Sequence, residues 1–301
     1  MKKVLLILCL LLSIVFVGCS NVETIKVYTR DTTSGTRDCF FSTIGFEEAV
    51  SDPNALVEGA METENNDGMI NYIKNDKNGI GYISLATLES SQLKGLNYEG
   101  VTPSTENVLN GTYKFKRNFN FIIRENYKSE KEEQIVKAFI AYLSTKEGKA
   151  TIKSKDGIID ILSTDPTWES IKESYPIYKE DNSSITIKFG GSTSVMKMVK
   201  ALAEEFSAKC GNFVVEQNHT GSGDAYKRTQ GTEKDGANYL SIGFASREFK
   251  STENGAEGTF GKMCIDAVVV VVNPENKITN ITASTLKSIY DGSITSWNDV
   301  K

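Results

Sequence analysis

Three times in this chain a short β-branched run gives way to a turn built almost wholly of Ser, Thr and Gly, and then to a helical pattern. "IKVYTR" leads through "DTTSGTR" into "DCFFSTIGF", "ITIKF" through "GGSTS" into a long helix, and "FVVEQN" through "HTGSGD" into "AYKRTQ". Strands that alternate with helices restrict the fold to α/β with a parallel or mixed sheet. The turns restrict the chemistry as well. The first N–H groups of a helix point out of its end, where the macrodipole is positive, and glycine lets an anion approach them closely. Taken singly, each turn reads as ordinary N-capping. Together, with Arg30 beside the first to supply charge-assisted hydrogen bonds, they read as the halves of one seat for a phosphate-like ion.

The remaining periodicity agrees with an α/β chain. After Ser194, the apolar residues Val195, Val199, Leu202 and Phe206 fall on one helical face, while Lys197, Lys200, Glu204 and Glu205 take the other. "EEQIVKAFIAYLST", residues 132 to 145, predicts a second helix, and "DAVVVVVN", residues 266 to 273, a buried strand. Residues 149 to 184 are more polar, contain Pro166 and Pro176, and read as a connector with a short helix.

Lys2 and Lys3 precede an uncharged run from Val4 to Val17 that is apolar apart from Ser13, shorter than the roughly 20 residues of a spanning helix and laid out as a signal peptide. Its end, "VGCS", resembles the lipobox of bacterial lipoproteins, which implies removal of residues 1–18 and a lipid on Cys19. Without Lys2 and Lys3 the 34 basic residues become 32 against 39 acidic ones, a net charge of −7. That balance argues against nucleic acid and against an anionic membrane surface as partners, so any bound anion is held locally. Cys39, Cys210 and Cys264 are an odd and scattered set, read as small core residues.

At this level of detail the segments resemble a family, the phosphate-binding proteins of bacterial phosphate-specific ABC importers. "GGSTSVMKMVKALAEEF", "TGSGDAY", "SIGFASREFKSTE", "VVVVVNPENKI" and "LKSIYDGSITSWNDV" are similar, in order, to the family's amino-terminal half. "YTRDTTSGTRDCFF", "NGIGYISLATL", "STENVLNGTYKFKRNFNFII" and "FIAYLSTKEGKATI" are similar to its carboxy-terminal half, which here comes first. The swapped order implies a circular permutation, with new termini in the short loop between the halves and the old termini joined through residues 160 to 184. A misassembled reading frame is the other source of such an order.

The resemblance implies a two-lobed periplasmic-binding-protein fold, type II-like, with the ligand in the cleft between α/β lobes. Carried over, the crossings fall near "AVVVVVN" and "GIGYIS". Lobe two then comprises residues 20–80 and 266–301, and lobe one residues 81–265. The implied phosphate ligands are Arg30, Ser34, Gly35 and Thr36 from "RDTTSGT", Thr193 and Ser194 from "GSTS", Ser222 from "GSGD", and Ser246. At Ser246 some family members carry an aspartate that accepts a hydrogen bond from protonated phosphate. Asp31 and Asp224 are candidate replacements, although a solvated carboxylate at a helix start is the plainer reading of both.

What the resemblance implies in function is an extracytoplasmic, lipid-anchored, monomeric receptor that delivers inorganic phosphate to an ABC permease and needs no cofactor or metal. Related readings are a sulfate-like oxyanion receptor and a phosphate-sensing or adhesive surface lipoprotein. Enzyme readings have less support, with a lipid-anchored phosphatase as the formal alternative. The chain has no G-x-x-x-x-G-K-[ST] loop and no G-x-S-x-G elbow, and "TGSGDAYK" lacks the third glycine of a dinucleotide fingerprint. The single histidine, His219, cannot build a multi-histidine metal site and reads as an exposed loop imidazole.

Overall fold

The computed structural model describes residues 24–300. Residues 1–23, and with them the signal segment and Cys19, lie outside the described residues. The strands are β1 (Lys26–Arg30), β2 (Met61–Thr63), β3 (Gly79–Ser84), β4 (Lys94–Gly95), β5 (Asn97–Tyr98), β6 (Lys116–Ile123), β7 (Thr186–Gly191), β8 (Val214–Asn218), β9 (Ile242–Ala245), β10 (Phe260–Val272) and β11 (Asn280–Ile281). The helices are α1 (Gly35–Thr43), α2 (Glu48–Ser51), α3 (Asn66–Asn75), α4 (Leu85–Ser91), α5 (Thr105–Leu109), α6 (Glu130–Leu143), α7 (Lys146–Ser154), α8 (Trp168–Ile171), α9 (Met196–Lys209), α10 (Ser222–Thr229) and α11 (Ala283–Tyr290).

Eight strands run in the order β2-β1-β3-β10-β6-β9-β7-β8, with β4 also on β10, while β5 and β11 pair apart. Pairing is parallel among β2, β1 and β3, and again among β9, β7 and β8. Between those groups, β10 and β6 are antiparallel to their neighbours. The 13-residue β10 joins the two groups: Phe260–Ala267 pairs with β6, and Val268–Val272 pairs with β3.

A separate hydrophobic core lies on each side of this join. One gathers Phe40, Phe41, Tyr82, Phe115 and Tyr290, the other Phe139, Trp168, Phe189, Leu202 and Phe206. These are the cores of lobe two and lobe one. The run of five valines follows directly from the covering of both faces of β10. Val268, Val270 and Val272 enter the first core, and Val269 and Val271 pack on Tyr28, Met69, Ile73 and Ile83 on the opposite face.

The packing corrects one expectation. "GIGYIS" is not a crossing but β3, lying inside lobe two between β1 and β10. Leu96, Tyr98, Val108, Tyr113 and Phe115 belong to the same core, so on this side the crossing falls at β6, not at residue 81. Both expected helices form, as α9 with Val199, Leu202 and Phe206 buried and as α6 with Ile135, Phe139 and Tyr142 buried. Cys210 and Cys264 are buried free thiols and Cys39 is half-buried, the small-residue packing role expected of them.

Candidate anion-binding site

Each of the three turns lies where the sequence places it, at the carboxyl end of a strand and the start of a helix. β1 ends on Arg30, and Ser34 caps α1 by accepting from the N–H groups of Thr36 (3.2 Å) and Arg37 (3.4 Å). After β7, the Ser192 hydroxyl accepts from Ser194 N–H at 3.2 Å and starts the short 3₁₀ turn that enters α9. Gly191 makes that turn possible, because its φ is +99° and a Cβ there would sit 2.2 Å from the Phe244 carbonyl oxygen. α10 begins at Ser222.

The two lobes bring these turns face to face. Thr36 Oγ1 and Ser194 Oγ are 2.9 Å apart, and the Gly223 N–H donates to the Thr33 carbonyl at 3.1 Å. Ser192 Oγ donates to Ser246 Oγ at 2.8 Å, Ser222 Oγ lies 3.1 Å from the same oxygen, and Ser246 N–H donates to Ser222 Oγ at 2.9 Å. Gly35 completes the cluster from the other lobe: a Cβ on it would lie 2.5 Å from Ser222 Oγ and 2.7 Å from Ser246 Oγ. All eight sequence-predicted residues are thus gathered at one interlobe position. Seven are buried and Thr193 is half-buried.

Arg30 approaches from the edge of this cluster. It is 1% exposed, and its Nη2 donates to Thr193 Oγ1 at 3.0 Å, across the lobes. Within lobe two the guanidinium is held by the carbonyls of Thr63 (3.2 Å) and Glu64 (2.7 Å) and by Asn66 Oδ1 (3.3 Å). Burial lowers its pKa, and Asp31, 3.8 Å away, acts in the opposite direction. Asp31 accepts from the Thr33 N–H at 2.9 Å through Oδ1, while its Oδ2 is buried beside Arg30 without a hydrogen-bond partner, and Asp224 holds Thr220 on an exposed turn.

Sequence reasoning missed a second buried arginine. Arg117 on β6 donates through Nη1 to Thr36 Oγ1 at 2.9 Å and through Nη2 to Ser194 Oγ at 3.2 Å, touching both lobes at once. Its Nε and Nη2 both reach Asp266 Oδ2, at 3.0 and 2.8 Å, and Ser84 donates to the same oxygen at 2.7 Å. Asp266 is fully buried on β10, directly opposite Arg117 in the strand register. The signal was present in "KFKRNFNF", where strand alternation puts Arg117 on the same side as Phe119 and Phe121. A cation in the inward register of a strand marks a buried ion pair.

His219 also departs from expectation. Its ring is half-buried, with Nδ1 donating to the Ser192 carbonyl at 2.9 Å and Nε2 lying 2.7 Å from the Gln217 side-chain amide. Desolvation drives its pKa down, from the ordinary 6.5 to about 4. The folded protein therefore binds fewer protons here than the unfolded chain between those values, and stability falls as pH is lowered from 6.5 through 4. The expected loss is at most about 3 kcal/mol. Thermal unfolding of wild type and His219→Gln across that range checks it: the wild-type slope should be steeper, and equal slopes would contradict the assignment.

A family model described as a PBP superfamily domain matches residues 19–147 and 176–301. The chain belongs to the PBP superfamily. Within this family it is 28% identical over 295 residues to phosphate-binding protein PstS 2 of Streptococcus agalactiae serotype V, covering 95% of this chain and 93% of that protein. It is 27% identical over 280 residues to phosphate-binding protein PstS 2 of Streptococcus pneumoniae serotype 4, covering 92% and 88%. The crystal structure of the phosphate-binding protein of a phosphate ABC transporter from Streptococcus pneumoniae superposes with a TM-score of 0.66 at 25% identity, covering 92% of this chain and all of that one.

Closure of the two lobes depends on Gly35 being without a side chain. Gly35→Ala suits the first turn of a helix, but its Cβ would collide with Ser222 and Ser246 of the other lobe. The expected result is a weakening of anion binding by about 1–3 kcal/mol with little change in thermal stability. Calorimetric titration and a thermal melt of the same sample separate the two effects.

Proposed function

We propose that this chain is the phosphate receptor of an ABC importer, held at the outer face of the cell membrane by a lipid on Cys19 and acting as a monomer. The observation that carries the reading is the convergence of hydroxyl-rich helix starts from both lobes on one buried position flanked by Arg30 and Arg117. Removing a small anion from water is costly, and this many donors, two of them cationic, offset the cost. The ion bridges Ser34, Gly35 and Thr36 on one lobe and Thr193, Ser194, Ser222 and Ser246 on the other, so binding favours the closed arrangement. The closed form is what docks on the permease. The names carried by the streptococcal relatives support phosphate as the ligand. Cells that lack their own phosphate receptor but retain the permease test the proposal. This chain should restore phosphate uptake and Arg30→Ala should not; uptake that survives the substitution would refute the assignment.

One observation favours a second oxyanion. Ser246 offers a hydroxyl, which can donate as well as accept, and the buried Asp266 carboxylate is engaged by Arg117 and Ser84. At the Ser246 position a hydroxyl does not repel an unprotonated dianion as a carboxylate would, so sulfate is the competing ligand.

The circularly permuted order is part of the same proposal. Thr24 bridges to Ser296, and the Ile25 N–H donates to the Thr295 carbonyl at 2.8 Å, so the two ends of the described chain lie side by side. A break in one short loop leaves that arrangement. Linking residue 300 to residue 24 and reopening the chain near Ser184 should give a protein that folds and binds phosphate as the parent does. A rearranged chain that does not fold counts against the permutation.

A further inference from the structure

Arg117 also lines a groove of about 690 Å³ that includes none of the eight sequence-predicted site residues. Five basic side chains line it: Lys116 and Arg117 from β6, Arg247 and Lys250 from the segment after β9, and Lys262 from β10. The lining carboxylates are Asp38 and Glu248, while Glu253 and Asp266 pair with Arg247 and Arg117, which leaves Lys116, Lys250 and Lys262 as the weakly engaged cations. In a chain whose net charge is −5 this local excess of cations is selective, and a concave, partly desolvated surface focuses it.

The cations are not equally engaged. Arg247 forks onto Glu253 at 2.7 and 2.8 Å, and Arg117 is paired with Asp266 at 2.8 Å. Lys250 reaches only to within 4.0 Å of Asp38. Lys116 and Lys262 enter no ion pair among the described residues, and both are exposed on the adjacent strands β6 and β10. Lys116 lies opposite Ala267, while Lys262 lies opposite Asn120. Four residues of strand therefore separate the two lysines, roughly 13 Å along β6.

We propose that this groove is a second anion-binding site, and that its ligand is a short condensed phosphate. A single tetrahedral ion cannot touch cations spaced so far apart, whereas a chain of linked phosphates presents charged oxygens along that distance and meets Lys116, Lys250 and Lys262 together. A flexible acidic peptide is the other polyanion of suitable length. The shape of the site favours the smaller ligand, because the cations line one concavity together with Asn118. An adjoining hollow of about 420 Å³ shares Asn118, Glu248, Phe249, Lys250 and Lys262 and adds Glu253, which is already paired with Arg247.

Inorganic triphosphate is the probe. It is titrated into the full protein with the interlobe site saturated by orthophosphate, and again without orthophosphate, so that failure of the receptor reading is seen separately. The expected result is one equivalent of triphosphate bound in both titrations, with affinity that falls as salt rises. Lys116→Glu/Lys262→Glu should weaken triphosphate binding by at least about tenfold and leave orthophosphate affinity unchanged. Lys250→Glu serves as a second variant should that pair disturb folding. Absence of triphosphate binding, binding that the lysine variants do not alter, or binding of a poly-glutamate peptide in preference to triphosphate would each overturn the proposal.

Discussion

Arg30→Ala should weaken phosphate binding by about 3 kcal/mol or more, the usual range for removing one member of a buried, hydrogen-bonded charge pair. The residue is 1% exposed and spans the cleft to Thr193, so the ligand would lose one of its two flanking cations and keep only Arg117, which is already paired with Asp266. Arg30→Lys separates charge from geometry. A lysine keeps the positive charge but cannot reproduce the contacts that the guanidinium makes at once with Thr63, Glu64, Asn66 and Thr193. Its affinity should therefore fall between wild type and Arg30→Ala. The alanine variant also leaves the Glu64 carbonyl without the Arg30 donor and the Thr63 carbonyl with only the Asp31 N–H, so a melt must accompany the titration. Unchanged affinity in a folded Arg30→Ala protein would remove Arg30 from the site.

The largest effect on stability is expected at Asp266. Its carboxylate is fully buried and takes Nε and Nη2 of Arg117 and the Ser84 hydroxyl. Asp266→Ala leaves Arg117 buried without a counter-charge and should cost about 3–5 kcal/mol, a large part of the stability of an ordinary domain. Both residues lie on the antiparallel strands that join the lobes, so the loss should lower the midpoint of chemical unfolding for the whole protein. A second substitution at the partner sharpens the test. If Arg117→Met restores much of the stability of Asp266→Ala, the loss came from the unpaired charge; if it adds a further loss, packing around β6 and β10 is responsible. A cost below about 1 kcal/mol for Asp266→Ala would mean that Arg117 finds water or another acceptor.

The turns were legible in the sequence because their chemistry is local. Ser34 caps the helix that follows it, Gly191 takes a conformation open mainly to glycine, and both requirements are written within a few residues. The valine run was legible for a similar reason, since a strand covered on both faces needs apolar residues at every position. The Arg117–Asp266 pair was not, because 149 residues separate its members and neither neighbourhood names the other. The lobe boundary was misplaced for a related reason. "GIGYIS" reads as a fully buried strand, and a strand inside one lobe is as buried as a strand between two. His219 looked like a loop residue because its partners, Ser192 and Gln217, are brought to it by the pairing of β7 with β8.

Titration calorimetry of the purified protein with phosphate, followed by sulfate, at two pH values tests the central claim most directly. The interlobe cluster predicts one phosphate per chain, bound more tightly at the higher pH where the dianion predominates, with sulfate competing because Ser246 presents a hydroxyl to the site. A folded protein that takes up neither ion would contradict the anion-receptor reading of the cleft.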